Sequence, residues 1–214
     1  MKNSRSSGPF IEQLENRQLC SVFLNGAQSY GGGTFANSSW KIIPVTSGGG
    51  GTCTATQKTG GNPGTYRSIT TTVNGSTGGS ELWAFQENVA AKYNPAAKGA
   101  ITSISYHEDS KLFSGFGEGQ RTGPALEQNG VIYFMMTQVL DTTSTHWTKQ
   151  SVVNLTAADF SPLGDPTAHP DFSQTGALIQ FGIYRANSAG SSGYTIVAGV
   201  DNWLLTLKTR KQIG

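Results

Sequence analysis

ALIQFGIYRA, residues 177–186, decides the fold. Ala177, Ile179, Phe181 and Ile183 fall on one face of an extended chain, and Gln180, Gly182 and Tyr184 on the other. That period of two marks a half-buried strand; a helix would scatter the same residues around its axis. Working outward, YTIVAGVDNWLLTLK (194–208) reads as a strand with Val197, Trp203, Leu205 and Leu207 on one side. VIYFMMTQ (131–138) is apolar on both faces, which predicts a central strand between two covering layers. SWKIIPV (39–45), TYRSITTTVN (65–74), AITSISYHED (100–109) and HWTKQSVVN (146–154) are further strand candidates. Between them lie the turn signals GGGG (48–51), GGNPG (60–64), NGSTGG (74–79) and QNG (128–130), where Gly and Asn supply positive φ. NLTAADF (154–160) predicts a single helical turn.

Composition agrees. The chain has 214 residues, of which 28 are Gly and only 13% are charged. That length suffices for one all-β domain with a sizeable core. About eight strands with polar turns predict an all-β fold, a jelly-roll β-sandwich of two antiparallel sheets. The net charge of +2 resides at the ends. Setting aside the +1 of residues 1–22 and the +3 of Lys208, Arg210 and Lys211 leaves the body at −2. An acidic body lacks the electrostatic footprint of a nucleic-acid binder. No apolar run approaches the ~18 residues of a membrane span, and residues 1–22 lack the apolar run of an ordinary secretory signal. Cys20 and Cys53 are too few for a disulfide scaffold and lack metal spacing. Two unpaired thiols is the plainer reading, with one bridge as the alternative.

FIEQLENRQLCSV (10–22) stands apart from this β pattern. Within it, LENRQLCS resembles the LExRxLLS leader near the N-termini of planctomycete-type bacterial surface and secreted proteins. Leu14, Glu15, Arg17, Leu19 and Ser21 match, Cys20 stands in place of the second Leu, and Lys2 and Arg5 lie upstream. The resemblance implies a targeting or leader segment over 1–23, then a single domain over 24–214 ending in a short basic tail. The other reading is a short amphipathic helix bearing Ile11, Leu14 and Gln18, packed on the end of the sandwich. The body resembles the laminin B-type and carbohydrate-binding jelly rolls of extracellular proteins, through Trp40, GGNPG and the closing GVDNWLLTL with Asp201-Asn202. NPAAKGAITSISYHED and HPDFSQTGALIQFGIYRANS look like modules of bacterial surface proteins. These resemblances imply a secreted or surface-displayed binding or structural module.

Catalytic constellations are missing. The Glu-x-Asp-x-x-Glu pattern of sandwich glycosidases is absent, and Glu108-Asp109 face opposite sides of a strand. No GxSxG or HExxH occurs, and His107, His146 and His169 are scattered. GFGEG (115–119) reads as a turn, and so does HPDFSQTG (169–176), whose EF-hand echo fails at Gly182. Asp201 on an apolar strand needs a partner, so Asp201 and Asn202, with loop carbonyls near 30–36, are candidate ligands of a structural calcium ion. The alternative is that Asp201 caps backbone amides. Sugars stack on Trp and Tyr beside hydrogen-bonding side chains. Trp83, Tyr93, Trp147, Tyr184, Arg185 and Asn187 are therefore the candidate ligand-binding residues, while Trp40 and Trp203 read as core. The expected function is non-catalytic binding of a polysaccharide or surface glycan. The alternatives are a structural or adhesive envelope protein engaging other proteins and, third, a glycan-processing enzyme.

Overall fold

The computed structural model describes residues 22–32, 35–115 and 119–213. The leader-like stretch up to Ser21, Cys20 with its pairing, and most of GFGEG lie outside them. Strands are numbered in chain order. One sheet holds β1 (Val22–Gly31), β3 (Gly51–Gly61), β4 (Gly64–Val73), β6 (Ala100–Ser114), β10 (Thr148–Leu155) and β13 (Tyr194–Ile213). Their order is β10-β6-β13-β4-β3, with β1 also beside β13. The other sheet holds β2 (Trp40–Gly48), β5 (Ser80–Tyr93), β7 (Gln120–Gln128), β8 (Val131–Met135), β9 (Leu140–Thr142), β11 (Phe160–Ser161) and β12 (Ile179–Ala189). Here the order is β11-β8-β7-β12-β5-β2, with β9 against β7. The two antiparallel sheets form the expected jelly-roll β-sandwich.

β12 is buried on both faces, with Tyr184 and Ala186 covered as well, so it is not the half-buried strand that its alternation predicts. Ile179, Phe181 and Ile183 are fully buried between the sheets, and Phe181 meets Tyr30 of β1 at 6.0 Å. Burying each such side chain stabilises the fold by about 1.5–3 kcal/mol. The same interior carries charge. Arg185 of β12 pairs with Glu108 of β6 at 3.2 Å, and both are fully buried. Glu108 also accepts from Tyr106 (2.5 Å) and Thr122 (2.9 Å), so its oxygens are satisfied. Arg67 of β4 donates to Gln86 at 3.0 Å and lies over the Trp40 ring.

Two other strand readings need correction. VIYFMMTQ is not central: β8 lies between β7 and the two-residue β11, near the sheet's edge. In β13, Trp203, Leu205 and Leu207 face inward, but so do Ile196, Ala198 and Val200, which leaves Val197 on the opposite side. The phase slips because one extra residue is inserted opposite β6, between the pairs Asp201–Asp109 and Leu204–His107. Asn202 at φ 48° takes up this bulge.

Candidate functional site

The bulge region shows where Asp201 and Asn202 point. Asp201 is 4% exposed. One of its carboxylate oxygens accepts the Asn202 amide at 2.7 Å, and the other accepts the backbone N–H of Asn62 in the GGNPG turn. The Asn202 side chain donates to Asp109 at 2.6 Å and to the Asn62 carbonyl. Asn62 adds a second donor to Asp109 at 3.2 Å. Hydrogen-bond donors therefore surround both carboxylates, whereas a calcium ion needs six to eight oxygens. Among the described residues no group of three or more His, Cys, Asp or Glu is placed to hold a metal. The residues present fit amide capping better than a cation. A cavity of about 200 Å³ adjoins this network, lined by Phe35, Trp40, Pro63 and Trp203.

The aromatic candidates separate. Trp83 and Tyr184 stack at 5.3 Å on the outer side of the second sheet, yet they are only 7% and 0% exposed. Arg121 caps Trp83 at 5.3 Å while holding the Met136 and Gln138 carbonyls at 3.1 and 3.2 Å. Tyr184 crosses Gly123, where a Cβ would stand 3.0 Å from its ring, and donates to the Met135 carbonyl at 3.1 Å. Burial drives its phenol pKa up to about 12, only partly offset by the arginines nearby. Arg185 and Asn187 face the interior. Asn187 accepts from Thr71 at 2.8 Å and donates to the Gly119 carbonyl at 3.1 Å. Tyr93 is buried at the other end, donating to the Gly99 carbonyl at 2.9 Å. An exposed platform of Trp83, Tyr93, Tyr184, Arg185 and Asn187 is thus not what the fold builds: these side chains are consumed by packing and internal hydrogen bonds.

Trp147 is different. It lies partly exposed on the outer face of the first sheet, beside Tyr66 and Phe113. Tyr66 stacks on Phe113 at 5.1 Å and 18°, and Trp147 meets their edges at 5.3 and 6.0 Å. Phe113 is 39% exposed and Tyr66 is buried beneath. The three rings come from β4, from β6 and from just before β10, and they converge over Gly199 of β13. A Cβ on Gly199 would stand 2.8–2.9 Å from atoms of all three rings. Lys111 lies over Phe113 at 4.9 Å. Farther along the same face a shallow groove of about 260 Å³ runs past Lys149, His107, Ser151, Val153 and Leu204.

Tyr66, Phe113, Lys111 and Gly199 are absent from the sequence-predicted site. The one signal for them was Gly199, a glycine within an otherwise apolar strand, which marks close approach by neighbouring side chains.

No family model matches the chain, and no curated protein matches it. Among solved structures it is similar to the family 11 carbohydrate-binding module from Clostridium thermocellum, solved in complex with a β-1,3-1,4-mixed-linked tetrasaccharide. The identity is 14% and the TM-score 0.48, over 84% of this chain and 95% of that chain.

Proposed function

We propose that this protein is a non-catalytic glycan-binding module, secreted or displayed at the cell surface, with its site on the outer face of the first sheet. The observation that carries the reading is the Tyr66–Phe113–Trp147 cluster seated over Gly199. Sugar rings bind by laying their C–H faces on such surfaces, and a flat sheet lets an extended chain lie across several strands. The extracellular part of the reading rests on the leader-like LENRQLCS. The test is a pull-down of the full chain with insoluble polysaccharides and surface-glycan preparations, comparing Trp147→Ala and Phe113→Ala with the parent. Saturable binding weakened at least tenfold by either variant supports the reading. Binding indifferent to both removes this face as the site.

A second reading has its own observation. β10 is an edge strand, and its Val153 is 60% exposed, with Leu204 of β13 at 42%. An unpaired edge next to apolar side chains suits strand-to-strand docking of an envelope protein. Val153→Lys would abolish that docking while leaving glycan binding at Trp147 intact.

A further inference from the structure

The charges around the platform point to the chemical class of its ligand, an inference that rests on the glycan-binding reading above. Lys58 is the cross-strand partner of Tyr66, Lys111 that of Gly199, and Lys149 that of Asp109. All three belong to the face that carries the rings. Lys149 and Lys111 are diagonal neighbours on adjacent strands, roughly 7–8 Å apart by strand geometry. Lys58 lies three strand spacings across and two residues along from Lys111, roughly 16 Å. Among the described residues none of the three forms an ion pair; Asp109, opposite Lys149, meets His107 at 3.7 Å instead.

The acidic groups of this face are turned away from ligand. Asp109 and Asp201 are 9% and 4% exposed and hold the amides of Asn62 and Asn202. Neutral sugars are gripped largely through carboxylates and amides that bond their hydroxyls, and here those groups are engaged with one another. The lysines have no ion pair among the described residues, and Lys111 lies over the Phe113 ring. The outer face of the opposite sheet carries both signs: Glu81, Glu87 and Glu127 lie there with Lys41, Lys92 and Arg121, and Lys41 pairs with Glu87 at 3.7 Å. The face with the aromatic rings differs in that, among the described residues, its lysines have no ion-pair partner.

We infer that the ligand is an acidic oligosaccharide bearing uronic-acid carboxylates. One ring stacks on Phe113 against Trp147, whose plane stands at 82° to it, and flanking carboxylates meet Lys111 and Lys149, with Lys58 at the far side. Charge-assisted bonds from lysine are roughly twice as strong as neutral ones, and on an exposed face they weaken with salt.

Titration calorimetry on the full chain tests this with three probes: an oligogalacturonate, a cello-oligosaccharide of equal length, and polyaspartate. The expected result is preferential binding of the oligogalacturonate, weakened at least tenfold by Lys111→Gln/Lys149→Gln and by 0.5 M salt, and also lost in Trp147→Ala. Equal binding of the neutral oligosaccharide, with no effect of the lysine pair, overturns the acidic ligand and leaves glycan binding standing. Polyaspartate bound as well as the oligogalacturonate, with Trp147→Ala silent, overturns it in favour of charge attraction alone. Binding of none of the probes and of no polysaccharide in the pull-down overturns both readings together. Both lysines reach solvent, and an unchanged thermal melt of the double variant establishes that lost binding is not lost folding.

Discussion

Asp201 and Asp109 stand directly opposite one another across β13 and β6, and the side chain of Asn202 bridges from the bulge to Asp109 at 2.6 Å. Like charges facing each other across a ladder oppose pairing. The amides of Asn62 and Asn202 turn that repulsion into a closed network that locks the GGNPG turn onto the sheet. Asn202→Gly keeps the φ of 48° accessible but removes the bridging amide, and is expected to cost about 1–3 kcal/mol in urea unfolding. Asn202→Ala adds the strain of a left-handed alanine and should cost about 1 kcal/mol more. Equal stability of both variants and the parent would show that the bridge is dispensable.

The same network bears on metal dependence. Because N–H donors occupy the carboxylate oxygens of Asp201, the thermal melt is expected to be unchanged between calcium and EDTA. A fall of several degrees in EDTA would mean that the donors give way to a cation and would restore Asp201 and Asn202 as its ligands.

Gly199 sets the platform's geometry. Its backbone is not left-handed, so Gly199→Ala meets no dihedral penalty there, but its methyl group would press on Tyr66, Phe113 and Trp147 together. The expected outcome is a shift in tryptophan emission and roughly tenfold weaker glycan binding, with the fold retained. Binding at parental strength would place the ligand elsewhere.

Removing one partner of a buried ion pair leaves an uncompensated charge, so Glu108→Gln should cost roughly 3–5 kcal/mol through Arg185. The surface pair Lys41–Glu87, at 3.7 Å with the lysine side chain 63% exposed, offers the contrast. Glu87→Gln should cost under about 1 kcal/mol. Denaturant midpoints of the two variants measure the difference directly.

Stability should fall on the alkaline side. Burial pushes the Tyr184 phenol up to about 12 and that of Tyr106 well above 10. Groups with raised folded-state pKa values contribute fully below the unfolded value near 10, and that contribution is lost as pH rises through the folded one. Arg67 acts in the opposite sense: desolvation lowers it to about 10, so its penalty is relieved over the same range. Tyr30, raised to about 12, and Cys53, raised to about 11, act in the same sense as the two phenols, so the raised acids outnumber the one guanidinium and stability falls between pH 10 and 12. Guanidinium unfolding at pH 9.5 and 11, followed with phenolate absorbance, checks this; equal midpoints would refute it.

Strand identity was legible wherever large apolar residues alternated. β4, β6, β10, β12 and β13 all fall on sequence-predicted runs, and Trp40 and Trp203 are core as expected. β3, GTCTATQKTGG, was missed because its outward positions are Thr and its inward ones are as small as Cys53 and Ala55. β5 was missed because its Glu, Gln, Ala and Lys read as helix formers, although its register against β12 buries Leu82 to Gln86. The proposed site was legible in one residue, Trp147. Its partners lie about 35 and 80 positions away in sequence, and only the β10-β6-β13-β4 order brings Phe113 and Tyr66 beside it. Tyr184, Arg185 and Asn187 look like a binding motif in sequence because polar and aromatic residues sit together there. The polar interior of this sandwich uses the same residue types for a different purpose.

β13 has a consequence for synthesis. Its twenty residues serve three partners: β6 along one edge, and on the other first β4 and then β1, with Val22 opposite Ile213. β1 therefore waits for β13, which is made long after it. Until residues near 213 emerge, β1 has no place in the first sheet and that sheet is split down the middle, so this sandwich is expected to fold only after nearly all of its strands are made, and slowly for its size.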